Sequence, residues 1–315
     1  MRRPDNRLLE TRDILLNAIN DDSIAEIGER MKRLGRSPEF SKNTLKAIVV
    51  TRAPLSRLGV LQGSCGSEFS QGMITATALQ RYLLIDTALA NLENVASLTV
   101  HPTVKRLIYD EFQFYANPPQ RDNNLFEVSG QPFSSFCKIA LLERFPAGQY
   151  HWEISGFPRS WLLKIHKASI MGVVRFIVTK MKGFGPCMEP HMPARSPGSM
   201  LILERQSDKS WYRMARSVEM NPAIKGLVAF AWLHSPDTFT VSPHLSFINK
   251  PFVESGAFIT TMGKAPEDSG FLAGSAERTR LFKSGDFKPT MGVVLWSRKQ
   301  MIDWAQSHPE LDDGE

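Results

Sequence analysis

The pattern of hydrophobic and polar residues divides the chain into a helical first part and a mixed second part. Between residues 5 and 48, apolar residues recur at steps of three and four between charged ones, which predicts amphipathic helices. The same spacing predicts helices over residues 68–92 and 102–115. A polar segment containing two prolines follows at 117–124 and is typical of a boundary between domains.

Beyond this boundary, short apolar runs bounded by Pro, Gly and Ser predict strands, and longer periodic segments predict helices. The predicted strands are 136–142, 226–233, 241–248, 257–261 and 292–296, and the predicted helices are 161–182, 211–220, 275–283 and 298–306. Together they predict an α+β fold. It has a mainly helical region at 1–118, a mixed-sheet domain at 125–307 and a disordered acidic tail at 308–315.

Composition places the chain among ordinary globular proteins, with 42% hydrophobic and 22% charged residues in a length of 315. The formal net charge of +6 suits an anionic partner such as a phosphorylated cofactor or a membrane surface. Lys and Arg occur along the whole chain, and no basic cluster with interleaved aromatic residues is present. The sequence therefore predicts no nucleic-acid partner.

Three widely spaced cysteines argue against a disulfide framework and favour a reducing cytoplasm. Charged residues at 8–13 follow the basic N-terminus, so no signal peptide is predicted, and no apolar run is long enough to predict a membrane-spanning helix. The basic, amphipathic segment 161–182 has two interpretations. It is a helix that faces the core with a solvated outer side, or it contacts a membrane surface.

The segment 183–198 combines four prolines and three glycines with reactive side chains, which predicts a functional loop rather than a central strand. Cys187, Glu189 and His191 alternate, so an extended backbone places them on one side. They are candidates for lining a substrate pocket. With His234 or His244 as a fourth ligand they form a candidate metal site, but their spacing is not a recurring one and no metal cofactor is predicted.

Polar residues at the ends of two predicted strands, 232–237 and 242–244, are further candidates because ligands bind at strand ends in α/β folds. His234 and His244, together with His191, are the candidate general bases. Trp232 and Asp237 join Cys187 and Glu189 as candidate substrate-binding residues. The alternative is turn chemistry, since Ser-Pro sequences initiate turns.

Residues 274–296 comprise a short helix ending in Leu281 and Phe282, a turn containing Gly285 and an apolar strand. This segment resembles the C-terminal part of the GNAT acyltransferase fold, in which such a helix packs near the pantetheine arm of acyl-CoA. The resemblance implies a GNAT-like second domain and an acyl-CoA cofactor. In that family an Arg/Gln-x-x-Gly-x-Gly/Ala turn holds the pyrophosphate, and 195–200 is the nearest match, with Met at its last position and Pro197 inside it. The implied cofactor-binding residues are Arg195, Gly198, Arg278 and Arg280.

The resemblance favours an enzyme that transfers an acyl group from an acyl-CoA-type thioester to an amine or similar small acceptor. Two alternatives stay open. One is a metal-dependent enzyme that uses Cys187, Glu189 and His191. The other is a non-enzymatic protein that binds a membrane surface, through 161–182, or a protein partner.

Overall fold

The computed structural model describes residues 6–20, 22–33, 36–51, 76–118, 131–193 and 203–313. These residues fold into two compact units. Described residues within 1–98 and 102–146, with 192 and 193, form a helical unit, and those within 99–101, 147–191 and 203–313 form a mixed unit. The division at residues 146 and 147 comes later in the chain than the predicted boundary. The predicted α+β class is confirmed.

The helical unit contains six described helices and one short strand. They are α1 Asn6–Ile19, α2 Asp22–Arg33, α3 Pro38–Thr51, α4 Ala76–Ser97, α5 Pro102–Ala116, α6 Gln131–Ala140 and β1 Arg144–Pro146. Fully buried Leu15, Leu45, Leu83 and Phe112 form its core, which matches the helical periodicity of the sequence.

Helix α6 replaces the strand predicted at 136–142. Its buried residues Phe133, Phe136, Cys137 and Ala140 follow the i, i+3, i+4, i+7 spacing of a helix face. The end of α6 is attached to α4, because Asn91 Nδ2 donates to the Ala140 carbonyl at 2.8 Å. A short apolar run suits both element types, and here the helix also buries Ile139, which lies outside that face.

The mixed unit contains five strands and six α-helices among its described residues. They are β2 His151–Gly156, α7 Lys167–Phe176, β3 Pro186–His191, α8 Glu204–Met220, β4 Gly226–Ala231, α9 Pro236–Val241, α10 Lys250–Glu254, β5 Phe258–Lys264, α11 Ala276–Ser284, β6 Thr290–Ser297 and α12 Arg298–Gln306. The strands form a mixed sheet in the order β2-β3-β4-β6-β5. Only β3 and β4 run parallel, and the other three neighbouring pairs are antiparallel.

One side of this sheet carries the large apolar residues of α8, α10 and α12. Trp296 of β6 lies edge-on to Trp304 and Phe252, with ring centroids 5.5 and 5.1 Å apart. Trp211 of α8 contacts the same Phe252 ring at 5.0 Å. Phe176 of α7 packs against Phe258 of β5 on the other side of the sheet. The sheet is therefore covered on both sides over β5 and β6.

Two predicted elements of the mixed unit also differ from the structure. The predicted helix 161–182 is a 3₁₀ turn at Arg159–Leu163, the helix α7 and a π-helical turn at Ile177–Met181. Ile165 forms an isolated bridge with Met262, which prevents a continuous helix. The predicted strand 241–248 is the end of α9 and a 3₁₀ helix at Pro243–Asn249, where proline stands in the first turn.

The acidic C-terminus is anchored, whereas the sequence predicts a disordered tail from residue 308. Residues Pro309–Leu311 form a 3₁₀ turn, and Leu311 is buried. Asp313 accepts hydrogen bonds from Lys209 and Arg213 of α8. These buried contacts outweigh the polar composition that predicts disorder. Among the described residues, no helix has both the length and the hydropathy needed to cross a membrane.

Candidate functional site

Strand β3 lies within the segment for which the sequence predicts a loop, and it is an internal strand between β2 and β4. That prediction was wrong for Pro186–His191. With β2 it forms six register pairs, from His151 opposite His191 to Gly156 opposite Pro186. Its two prolines occupy positions that a strand tolerates, since one begins the strand and the other lies where pairing with β4 stops.

Strands β3 and β4 pair at a single register position, and Pro190 explains why their pairing stops there. Among the described residues, Met188 and Leu227 are their single register pair. The Pro186 carbonyl accepts from the Lys225 N–H at 2.7 Å and therefore points toward β4. The backbone polar groups of successive residues in a strand point to alternate sides. The backbone nitrogen of Pro190, four residues after Pro186, therefore also faces β4. A proline nitrogen carries no hydrogen, so the next ladder bond cannot form.

The register between β2 and β3 assembles a polar surface beside this gap. Glu153 lies opposite Glu189, and His151 lies opposite His191. Opposite residues share a face, with Cβ atoms about 5 Å apart. Alternation along β3 places Glu189 and His191 on the same face, as the sequence predicts. Two carboxylates and two imidazoles therefore lie together where β3 separates from β4.

Within this surface His191 lies beside Glu153, and their Nε2 and Oε1 atoms are 3.6 Å apart. Both side chains are mostly buried, with 28% and 18% of their surface exposed. A carboxylate beside an imidazole orients the ring and stabilises its protonated form. The pair can accept a proton at His191 and hold the resulting charge.

An aromatic wall lies on the same face of the sheet. Leu227 of β4 pairs with Met188, so their side chains lie on the same face of the sheet. Side chains alternate along each strand, so Glu189 and Phe230 both lie on the opposite face. The Phe230 ring meets Trp161 at a centroid distance of 4.2 Å, and Trp161 contacts Phe157 at 5.8 Å. Phe230 keeps 37% of its surface exposed. Apolar contact area is therefore available beside the polar groups.

His234, a candidate general base, is enclosed in the protein. Its Nδ1 donates to Asn249 Oδ1 at 2.8 Å, and its ring lies edge-on to Phe252. Burial lowers the pKa of His234 to about 4, although the hydrogen bond to Asn249 opposes this shift. At neutral pH the ring is uncharged and packed in the core. These contacts fit a structural role.

The other candidates from the strand ends are spread over separate places. His244 is exposed in the 3₁₀ helix that begins at Pro243. Asp237 accepts a hydrogen bond from Thr290 Oγ1 at 2.8 Å, and so links α9 to β6. Trp232 is buried beneath the guanidinium of Arg278, 5.0 Å from the ring centroid. Their contacts are those of turns and packing, which is the alternative left open by the sequence.

The candidate cofactor-binding arginines of α11 have partners within the protein. Arg278 is buried and donates to the carbonyls of Phe271 and Ala273 and to Ser242 Oγ. Arg280 forms an ion pair with Glu277 at 2.7 Å on the same helix. Arg195 and Gly198 lie outside the described residues. They belong to the connection between β3 and α8.

Cys187 is a buried thiol. Its Sγ donates to the Gly185 carbonyl at 3.2 Å, and burial raises the pKa of Cys187 to about 11, although Lys225 opposes this effect. A protonated thiol is a poor metal ligand. In the part of the chain that the structure describes, no three His, Cys, Asp or Glu side chains are grouped to hold a metal ion.

Sequence reasoning did not single out Glu153, His151 or the structural effect of Pro190. A signal for the first two exists in the sequence. The alternation His151-x-Glu153 mirrors Glu189-x-His191, and antiparallel pairing of the two segments places them face to face. Recognising it requires that 186–191 be assigned as a strand, which its proline content disfavours.

Comparison with protein-family models, with curated proteins and with solved structures finds no match to this chain.

Proposed function

We propose that the mixed unit is an acyltransferase that moves an acyl group from an acyl-CoA-type thioester to a small amine. The observation that carries this proposal is the interrupted pairing of the parallel strands β3 and β4 beside the His191–Glu153 pair. A gap between two parallel strands exposes backbone amides to an extended ligand. In a GNAT-like domain the pantetheine arm would lie in such a gap.

The order of the elements supports the same proposal. Strand β3 leads through α8 to the parallel strand β4, and β6 then pairs with both β4 and β5 in antiparallel fashion. A GNAT-like domain requires a strand–helix–strand unit of this kind with a final antiparallel pair at its edge. Arg195 and Gly198 precede α8 in the sequence, and a helix N-terminus favours a phosphate group.

The polar face supplies the groups that amine acylation needs. An amine attacks a thioester only when it is neutral, so a base must remove its proton. His191 would take that proton, and Glu153 would hold the imidazolium. Glu189, opposite Glu153, would help to attract a cationic acceptor. The neutral amine nitrogen forms a bond to the acyl carbon while the carbon–sulfur bond breaks. The proton held on His191 passes to the departing thiolate, and the second proton lost by the nitrogen is released to solvent.

Phe230 and Trp161 would form the apolar side of the site and exclude water from the thioester. Backbone N–H groups of β4 beyond Leu227 would polarise the thioester carbonyl, since β3 offers them no register pair. Arg278 and Arg280 would stabilise α11 rather than hold the cofactor. His234 would support the packing behind β4.

Ligand-induced stabilisation tests the first part of this proposal. Acetyl-CoA at about 100 times its dissociation constant should raise the melting temperature by about 5 °C. Dephosphorylated and truncated thioesters should shift it less, because they lack contacts to the phosphates. The absence of a shift with every acyl-CoA ester tried would overturn the proposal.

Turnover tests the assignment of the base. Release of free thiol from acetyl-CoA, measured with a panel of amines, should fall at least about 100-fold in His191→Gln. Glu153→Gln should retain more activity than His191→Gln. Both variants should keep the acetyl-CoA shift in melting temperature. His244→Gln is the matched control, and a loss of turnover in that variant instead would disprove the role of His191.

A further inference from the structure

The outer side of α7 and the π turn after it carries exposed apolar residues. Val173, Phe176, Ile177 and Met181 of this segment are buried. Met171 and Val178 are 76% and 55% exposed, although both are large hydrophobic residues. They are seven residues apart, which places them near one another on the outer side of the segment.

The stretch of chain that includes α7, residues 154–188, carries the excess positive charge of the protein. Residues 154–188 contain six Lys and Arg residues and no Asp or Glu, while the rest of the chain holds 32 basic and 32 acidic residues. The whole net charge of +6 therefore resides in these 35 residues. Lys and Arg are distributed along the chain, but the acidic residues that balance them elsewhere are missing here.

Four of these cations lie in or next to this segment, and none of them forms an ion pair with a carboxylate of the described residues. Lys164, Lys167, Arg175 and Lys182 are exposed. The ion pairs of the described residues include none of the four. We name the set of Lys164, Lys167, Met171, Arg175, Val178 and Lys182 the α7 surface.

We propose that the α7 surface docks on an anionic lipid membrane. Cations flanking protruding aliphatic side chains fit the headgroup region of a bilayer, where Lys and Arg meet lipid phosphates and Met and Val enter the acyl boundary. Leu163, 89% exposed in the preceding 3₁₀ turn, adds a third apolar side chain. Nucleic acid would leave these aliphatic groups without a role, because it offers charge and base stacking instead.

The buried side of the segment keeps this surface in place. Phe176 packs on Phe258 of β5 with centroids 5.7 Å apart, and Gly172 lies directly beside the same ring. Helix α7 is therefore fixed to the sheet by its buried side, and its exposed side is accessible to a membrane. This inference does not depend on the proposed catalytic site.

Co-sedimentation of the full chain with vesicles tests the proposal. The protein should bind phosphatidylcholine vesicles containing about 30% phosphatidylserine and leave pure phosphatidylcholine in the supernatant. Added salt should weaken binding, since the cations act through screened electrostatics. Equal binding to both vesicle types, or none to the anionic vesicles, would overturn the proposal.

Two variants separate the charged from the apolar contribution. In the triple variant Lys164→Glu, Lys167→Glu, Arg175→Glu, the partition coefficient of the protein onto the anionic vesicles should fall at least about tenfold. Met171→Ser with Val178→Ser should lose about fivefold without changing the circular dichroism spectrum, because both side chains are exposed.

Matched controls lie elsewhere on the mixed unit. Val253→Ser removes a 66% exposed apolar side chain from α10, and Lys283→Glu with Lys288→Glu reverses two exposed charges. Both controls should bind as the unchanged protein does, and a loss as large as that of the α7 variants would overturn the proposal. It is also overturned if a DNA duplex or polyglutamate binds more tightly than the vesicles and without dependence on Met171 and Val178.

Discussion

Burial inside the mixed unit lowers the pKa of His234 to about 4, while an unfolded histidine has a pKa near 6.5. Between these values the unfolded chain binds a proton that the native ring does not accept. The contribution of His234 to stability is therefore complete above about pH 6.5 and is lost as the pH falls toward 4. The shift corresponds to about 3 kcal/mol.

The variant His234→Gln tests this linkage. Its free energy of unfolding, measured by urea titration between about pH 7 and pH 4, should depend less on pH than that of the unchanged protein. His244→Gln, which removes an exposed ring, is the control for the replacement of a histidine as such. An undiminished pH dependence in His234→Gln contradicts the burial argument.

Residue type alone could not rank the candidate histidines. His191 is the last residue of β3 and stands next to Pro190, while His234 follows β4 and stands next to Ser235. Their difference arises from tertiary neighbours, because His191 meets Glu153 and His234 meets Asn249 and Phe252. The sequence predicted the alternation of Glu189 and His191, but it could not predict the strand that completes the site.

At the scale of elements, local sequence signals predict some helices and strands correctly and others wrongly. Helix α12 begins at Arg298 and ends at Gln306, as predicted, and Ser297 with Gln300 forms a capping box at its start. No comparable local signal identifies β3, because its prolines oppose a central strand. Its pairing with β2 is a tertiary interaction that overrides this preference.

Replacement of Pro190 by valine tests how the gap between β3 and β4 is kept open. Valine supplies the missing N–H on the side of β4 and favours extended backbone. Pro190→Val should lengthen the ladder, raise stability by about 1 kcal/mol and abolish the stabilisation by acetyl-CoA. Amide hydrogen exchange should show new protection along β4 beyond Leu227.

Pro193→Val is the matched control for this prediction, since Pro193 follows the end of β3. It should leave amide exchange in β4 unchanged. Unaltered exchange in Pro190→Val itself would show that something other than the missing N–H separates the strands.

For the whole molecule, the sequence predicts the helical and mixed parts but not the path of the chain between them. Residues 99–101 belong to the mixed unit although helices of the other unit precede and follow them. The His101 N–H donates to Ser217 Oγ at 3.0 Å across 116 positions of sequence. Contacts between residues so far apart in the sequence leave no periodic pattern. The sequence therefore predicts the domain boundary at the polar segment 117–124.

The C-terminal residues give the last prediction, because Asp313 neutralises the buried guanidinium of Arg213, which lies 100 positions earlier in the sequence. Arg213 is 7% exposed, and its Nε donates to Asp313 Oδ2 at 2.8 Å. Burial disfavours the charge of Asp313, but hydrogen bonds from Lys209 and Arg213 outweigh this effect and lower its pKa. The carboxylate thus stabilises the fold above its ordinary pKa, and that contribution is lost as the pH falls through the lowered value.

Deletion of residues 309–315 should therefore cost about 3 kcal/mol near pH 7, since it leaves the Arg213 guanidinium buried without its carboxylate. The difference from the full chain should shrink in acid, where Asp313 becomes protonated, and urea titration at several pH values measures it. Deletion of 314–315 alone serves as the control. Arg213→Met in the shortened chain should recover part of the loss, because no buried charge then lacks a partner. A shortened chain as stable as the full one contradicts the role given to Asp313, and a loss that Arg213→Met does not reduce assigns the effect to the buried Leu311 instead.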